Sequence, residues 1–286
     1  GRRTALQAQH FMSLGSNVGL RTRARITQTT SARIDGQDRV AELRFRVFRL
    51  STYLTHSLSN EILFGVGLED TYQQVTPVVA PEDVQSVREN RLRLVGIVWY
   101  DTYDRAFFPR RGHHLFYQVS GNKRELERRL SGLEHRFDWR AAFPVNAHLS
   151  LISEWQFSAS TALKPGAAVE ETLPLLEAEA LLGGAHTPLL ETGQFVGLAK
   201  HERRGKYVKA LMVGAQYEFR PGYFAVLRAN VGNTSDVWAW DFRGEGYVAG
   251  AGLTLGKVTA LGPVQCTIAT SNRHALLIEI SLGQMF

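Results

Sequence analysis

The chain ends on Leu276-Leu277-Ile278-Glu279-Ile280-Ser281-Leu282-Gly283-Gln284-Met285-Phe286, where apolar residues alternate with polar or small ones up to a final phenylalanine. A strand has period two, so Leu276, Ile278, Ile280, Leu282 and Phe286 fall on one face while Glu279, Ser281 and Gly283 fall on the other. One face suits lipid and the other water, as in the last strand of a transmembrane β-barrel. An edge strand of a soluble sheet alternates in the same way, so the rest of the chain has to decide.

Working outward, the pattern recurs over runs of about ten residues, the length that crosses a bilayer at a tilt. In the C-terminal third, Leu211, Val213, Ala215, Tyr217 and Phe219 oppose Gly214, Gln216 and Glu218. The Arg220-Pro221-Gly222 turn then leads into Tyr223, Ala225, Leu227, Ala229 and Val231 against Arg228, Asn230 and Gly232, which reads as a hairpin. Tyr247 to Leu255 alternates with Gly250, Gly252, Thr254 and Gly256, and Val264, Cys266 and Ile268 oppose Gln265 and Thr267. Earlier, Ile62, Phe64, Val66 and Leu68 oppose Gly65, Gly67, Glu69 and Thr71, while Leu149, Leu151, Trp155 and Phe157 oppose His148, Ser150, Glu154 and Gln156. Ala41, Leu43, Phe45 and Val47 form a further stripe facing away from Arg44 and Arg46.

Composition neither reveals nor excludes such a fold. The 286 residues are 44% hydrophobic and 21% charged, and mean hydropathy is -0.16, because a barrel spends only alternate residues on lipid. No stretch approaches the roughly 18 apolar residues of a spanning helix. Cys266 is the only cysteine, which rules out an internal disulfide and a Cys/His zinc set. The formal net charge of +6 would suit nucleic acid, but pairs such as Arg91 and Arg93, or Arg136 and Arg140, sit at strand spacing and read as solvated lumen walls. No nucleic-acid partner is expected.

The architecture these patterns imply is an all-β, antiparallel transmembrane β-barrel of about 14–16 strands spanning residues 1–286. With Phe286 taken as periplasmic, the turns at Arg220 to Gly222 and Val258 to Gly262 fall on the periplasmic side and Asn233 to Glu245 outside. Trp99, Tyr100, Trp238, Trp240 and Tyr247 are candidates for the interfacial aromatic girdles. Residues 160–190 break the rhythm: Val169 to Leu182 spaces leucines and alanines helically around Pro174, as a lumen plug or a surface excursion would. The chain opens on Gly1 without methionine or signal peptide, so a mature form or the C-terminal part of a longer protein is expected.

One segment carries a family signature. Asp101-Thr102-Tyr103-Asp104-Arg105-Ala106-Phe107-Phe108-Pro109-Arg110-Arg111-Gly112 resembles the D-T-x-D-x-x-F-F-P-x-x-G hairpin of the bacterial surface antigen superfamily of outer-membrane barrels. That superfamily holds the outer-membrane assembly factor, the two-partner secretion transporters and barrels fused to patatin-like phospholipases. Gln194-Phe195-Val196-Gly197-Leu198, followed by Gly205-Lys206-Tyr207, resembles the segment before the last strands of the patatin-fused barrels, as do Leu261-Gly262-Pro263-Val264 and, more weakly, His186-Thr187-Pro188. The resemblance covers residues 60–286. Assembly and secretion members carry an arginine-glycine-aromatic tripeptide on an inward loop; here Arg204-Gly205-Lys206 lacks the aromatic, which favours the patatin-type branch.

The chain itself shows no catalytic set. A patatin-like hydrolase needs G-x-S-x-G, and no serine here has a glycine two positions before it. His113 and His114 are adjacent and face opposite sides of a strand, so they cannot share a metal. Ser150 and His148 would be the barrel-wall pair of an outer-membrane phospholipase, and Gly15-Ser16-Asn17-Val18-Gly19 lacks the lysine of a phosphate loop.

The resemblance therefore implies a bacterial outer-membrane barrel that anchors or helps export an N-terminal patatin-like lipid hydrolase and is not itself an enzyme. The alternatives are an assembly or secretion translocase and a passive pore. The implied partners are outer-membrane lipid and lipopolysaccharide, the outer-membrane insertion machinery and a hydrolase domain in the same chain; no cofactor and no metal are implied. The residues singled out are structural: Asp101, Thr102, Asp104, Phe108, Pro109 and Gly112 to organise the hairpin, Gly205, Gly262 and Pro263 near later strands, and Phe286 as the end read by the insertion machinery. Deleting Phe286 is expected to impair assembly in the outer membrane; a normal yield of folded, heat-modifiable barrel would contradict this.

Overall fold

The computed structural model describes residues 3–35, 38–79, 86–123, 130–162, 180–185, 194–199, 202–205, 207–235 and 246–283. Its strands are β1 (Arg3–Ser13), β2 (Val18–Asp35), β3 (Asp38–Ser57), β4 (Ile62–Val79), β5 (Val87–Asp101), β6 (Gly112–Lys123), β7 (Leu130–Pro144) and β8 (Leu149–Ala162). They continue with β9 (Ala180–Leu182), β10 (Arg203–Gly205), β11 (Tyr207–Arg220), β12 (Tyr223–Ser235), β13 (Val248–Thr259), β14 (Gly262–Ser271) and β15 (Leu277–Leu282). Among the described residues there is no helix. Thirteen strands form one sheet in the order β1 to β8, then β11 to β15, while β9 and β10 pair only with each other. This is the all-β, antiparallel barrel wall that the alternation predicts. The described sheet has 13 strands, and the short β9–β10 pair is not hydrogen-bonded into it as a strand.

The chain divides into two compact units. One holds residues 1–97, 119–133 and 162–177; the other holds 98–118, 134–161 and 178–286. In the second, the wall is built as its sequence dictates. Leu211, Val213, Tyr217 and Phe219 of β11, Leu227 and Val231 of β12, Leu253 and Leu255 of β13, Val264 and Ile268 of β14 and Ile278 and Ile280 of β15 are all exposed. The opposite face is buried: Gln216, Phe224, Val226, Asn230, Thr254, Gln265 and Thr267. Large apolar side chains turned outward and polar ones turned in are the inverse of a soluble sheet. Across β13 and β14 the inward Thr254 and Thr267 hydroxyls share a hydrogen bond of 2.7 Å, which satisfies two polar groups that water does not reach.

The short connections of this unit meet at one end. The Glu218 N–H donates to the His148 carbonyl at 2.9 Å, that of Val258 to Gly222 at 2.9 Å and that of Gly283 to Pro263 at 3.1 Å. Gly283, just past the last strand, therefore lies beside the tight turns, the periplasmic side of such a barrel. Gly262 has a left-handed φ of 102°, and its carbonyl accepts from the Thr259 hydroxyl at 2.6 Å.

In the first unit the outward stripe comprises Ile26 of β2, Phe48, Leu50 and Leu54 of β3 and Phe64, Val66 and Leu68 of β4. Here the sequence reading of β3 is off by one. The exposed apolar residues of this strand are even-numbered, so Arg46 lies on the lipid side, with Nε donating to Gln28 at 3.1 Å, and Phe45 and Val47 turn the other way. The reason is length: β3 has 20 residues, about twice what a crossing needs, and its outer tip is not bound by the lipid-water division. Trp99 is a second correction. It is no girdle residue but meets His114 edge-on at 4.9 Å and Phe116 at 5.7 Å. The outward aromatics near the tight turns are instead Trp139, Phe143, Trp155, Tyr217 and Phe219, with Trp139 against Trp155 at 5.9 Å. Trp238 and Trp240 lie outside the described residues.

Leu227 faces outward near the middle of β12, with 59% of its surface exposed. Leu227→Arg is expected to destabilise the barrel in phosphatidylcholine vesicles by about 2–4 kcal/mol; an unchanged urea unfolding midpoint would contradict its assignment to the lipid face.

Candidate functional site

Two pieces of chain dock on the inward face of the second unit. The first is the connection between β5 and β6. Its carboxylates shape it by accepting backbone N–H groups: Asp101 Oδ1 from Tyr103 at 2.9 Å, and Asp104 Oδ1 from Arg110 at 2.9 Å and Arg111 at 3.2 Å. The Thr102 hydroxyl accepts from the His113 N–H at 2.8 Å. Gly112 closes the loop at a φ of 109°, where an added Cβ would lie 2.3 Å from the Thr102 carbonyl oxygen. Four of the residues that sequence singles out, Asp101, Thr102, Asp104 and Gly112, thus cooperate in one turn.

The tip of this hairpin is aimed inward. Phe108 holds a positive φ of 49° and stacks on Phe224 of β12 with centroids 4.3 Å apart and planes 7° from parallel. Phe107, Ile152 and Val226 complete the apolar cluster. Gln216 of β11 donates through Nε2 to the carbonyls of Phe108 at 3.1 Å and Pro109 at 3.0 Å. Arg105 pairs with Glu218 at 2.9 Å, and Glu218 also accepts the Gly222 N–H at 3.1 Å. Gly256 makes the space, because a Cβ there would meet the Phe108 ring at 2.4 Å.

At the root of the hairpin, Tyr103 stacks on His114 with centroids 6.0 Å apart, and burial pushes its hydroxyl above the ordinary tyrosine range. In the adjoining wall Arg140 of β7 bridges Asp138 at 2.9 Å and Glu154 of β8 at 3.0 Å, while Gln156 donates to Glu154. One guanidinium between two carboxylates is a network that is stable in the interior only when its members stay paired.

The second piece comes from the β8–β11 connection. Gly184 and Phe195 bridge, with the Phe195 N–H donating to the Gly184 carbonyl at 3.1 Å and the Gly184 N–H to Leu198 at 3.0 Å. Leu182, Phe195 and Leu198 are fully buried with Val208 of β11 and Val248 of β13. The wall holds the loop backbone with side chains: Asn230 donates to the Val196 carbonyl at 3.3 Å, and the Ser271 hydroxyl to that of Gly197 at 2.6 Å. Glu279 of the last strand accepts the Ala185 N–H at 2.8 Å. Gly250 again supplies room, since a Cβ there would lie 2.2 Å from the Val196 carbonyl oxygen. On the loop's return, β10 passes close to β12: a Cβ on Gly205 would sit 2.9 Å from the Ser235 nitrogen, and Arg203 Nε donates to the Thr234 hydroxyl at 3.2 Å.

Sequence reasoning did not identify Gln216, Phe224 or Asn230 as docking residues. The legible signal was the glycine run Gly250, Gly252 and Gly256 on one face of β13, which is where the docked chain approaches. Of residues 160–190, positions 163–179 and 186–190 lie outside the described residues, as do Phe286 and the His186-Thr187-Pro188 segment. Among the described residues no group of histidine, cysteine or carboxylate side chains is placed to hold a metal. Ser150 is buried inward, whereas the His148 ring lies by the outward Tyr217, with centroids 6.3 Å apart. The wall-bound Ser-His pair is thereby overturned: His148 precedes β8 in the turn, where strand parity does not apply.

A sheet of this order, apolar outward and polar inward with connections folded onto its inner face, is the wall of an outer-membrane β-barrel. Residues 11–286 match the OMP85 superfamily, and the chain belongs to that superfamily, whose barrels are bacterial outer-membrane proteins. Its fold is similar to the crystal structure of BamA from Haemophilus ducreyi lacking POTRA domains 1-3, with a TM-score of 0.68 at 12% identity over 97% of this chain and 60% of that one. It is also similar to CdiB from Acinetobacter baumannii, with a TM-score of 0.59 at 9% identity over 94% and 46% of the two chains. The chain thus spans about half the length of these structures. No curated protein matches it significantly.

Phe108→Ala removes a stacked, buried ring, a loss of about 3 kcal/mol or more. Tryptic cleavage at Arg105, Arg110 and Arg111 is expected to accelerate in the folded variant while heat modifiability is retained; an unchanged cleavage rate would show that Phe108 does not hold the hairpin.

Proposed function

We propose that this chain is the membrane-embedded domain that anchors, or helps export, an N-terminal patatin-like lipid hydrolase, and that it contributes no catalytic group. The observation that carries the reading is the occupied inward wall. Phe108 and the Phe195–Leu198 segment cover β11 to β13, and the polar atoms of Gln216, Asn230 and Ser271 are spent on loop carbonyls. A wall used in this way is engaged with its own chain, which supports an anchoring role. The absence of G-x-S-x-G from the sequence supports a patatin-type active site outside this chain.

A second reading is supported by the superfamily itself and by the two docked connections: a translocase that assembles or secretes other polypeptides. Where the assembly and secretion members carry arginine-glycine-aromatic, this chain has Arg204-Gly205-Lys206 without the aromatic, which is why the hydrolase-linked reading is preferred. Outer-membrane lipid, lipopolysaccharide and the insertion machinery are the partners proposed under either reading.

Intact mass and N-terminal sequence of the protein taken from native outer membranes test this. An upstream extension containing G-x-S-x-G is expected; repeated small periplasmic domains would overturn it in favour of a translocase, and a mature protein beginning near Gly1 in favour of a passive pore.

A further inference from the structure

The inward face of the first unit is unusually cationic. Arg21, Arg23 and Arg25 follow one another on β2 at period two, Arg49 lies directly across from Arg25 on β3, and Arg93 of β5 joins them through Glu69 of β4. Glu69 is the one carboxylate with which the described ion pairs of this group are made, 3.5 Å from Arg49 Nε and 3.5 Å from Arg93 Nη1. Arg21 and Arg23 both donate to the neutral Gln9 carbonyl oxygen, at 3.1 and 3.3 Å. Ser51, Tyr53, Thr55 and Thr71, on the same face, are polar and uncharged at neutral pH.

Like charges placed opposite one another on paired strands destabilise a sheet, and a half-buried guanidinium forgoes much of its hydration. Five arginines gathered on one inward face are a costly arrangement for the sheet by itself. What the array offers is a field. Low-dielectric walls of one sign concentrate counter-ions, and guanidinium binds carboxylate or phosphate through two parallel hydrogen bonds.

We propose that this arginine face is a binding site for an extended acidic polypeptide segment. Guanidiniums on alternate residues of a strand repeat every 6.8 Å or so, and alternate carboxylates of an extended chain repeat at the same distance. Charge and spacing therefore match together. The site rests only on which face of β2 to β5 is inward, so it is independent of what lies upstream of the barrel.

The test uses the full chain folded in detergent at low ionic strength, with a fluorescein-labelled peptide of alternating glutamate and serine followed by anisotropy. Saturable binding that weakens with salt is expected. The Arg21→Gln/Arg23→Gln/Arg25→Gln variant should bind about tenfold more weakly, the product of three modest ion pairs, and the corresponding lysine variant should recover part of the loss. Arg44→Gln/Arg46→Gln, which removes two charges from the outward side of β3, should bind as the parent does. Peptide binding that is absent, or that falls equally in the outward variant, overturns the proposal. Binding of tripolyphosphate without binding of the peptide also overturns it, and assigns the face to small anions. Heat modifiability of each variant shows that the barrel has folded, so a lost signal reports on the site.

Discussion

Inside a bilayer no water is available to backbone N–H and C=O groups, so every strand must be hydrogen-bonded to neighbours on both edges. Everything else in this protein is arranged within that constraint. Once the strands are paired, the period of two assigns each side chain to lipid or to the interior. Leu227, Leu253 and Ile268 are forced outward as surely as Phe224, Thr254 and Thr267 are forced inward. The tight turns then follow, because residues spent on a long connection at that end would not contribute to the wall.

The inward face poses a problem that the chain solves with itself. A wall carrying Gln216, Asn230, Thr254 and Thr267 must satisfy those polar groups without bulk water, and unsatisfied ones would each cost about 1–3 kcal/mol. The β5–β6 hairpin and the β8–β11 loop supply the missing acceptors as backbone carbonyls, at Phe108, Pro109, Val196 and Gly197. The side chains of Val196 and Phe108 fill the space left by Gly252 and Gly256. The two units meet this differently. In the second the wall is matched by docked chain, and in the first it carries a row of arginines, two of them paired with Glu69.

The parts legible in the sequence are those governed by local period. β11 to β15 could be read residue by residue, because they are short and every position is either against lipid or not. The 101–112 turn was also legible, since Asp101, Thr102, Asp104 and Gly112 act within the turn they define. Docking is a long-range matter: Phe108 and Phe224 are far apart in sequence, and nothing local to either marks the stack between them. The same holds for Trp99, whose aromatic character suits an interface until His114 and Phe116 are seen beside it. The one-residue error at β3 has a different origin, because a strand that continues beyond the membrane keeps its pairing but loses the requirement to alternate.

The most direct test of the account is a nitroxide scan from Tyr223 to Ser235 in lipid vesicles, on a Cys266→Ser background, with oxygen as the lipid-soluble relaxant and a nickel chelate as the aqueous one. The account predicts that odd positions from 223 to 231 are open to oxygen, and that even positions 224 to 230 are shielded from both agents by the hairpin and the loop. Even positions freely reached by the nickel chelate, or the absence of any alternation, would contradict it.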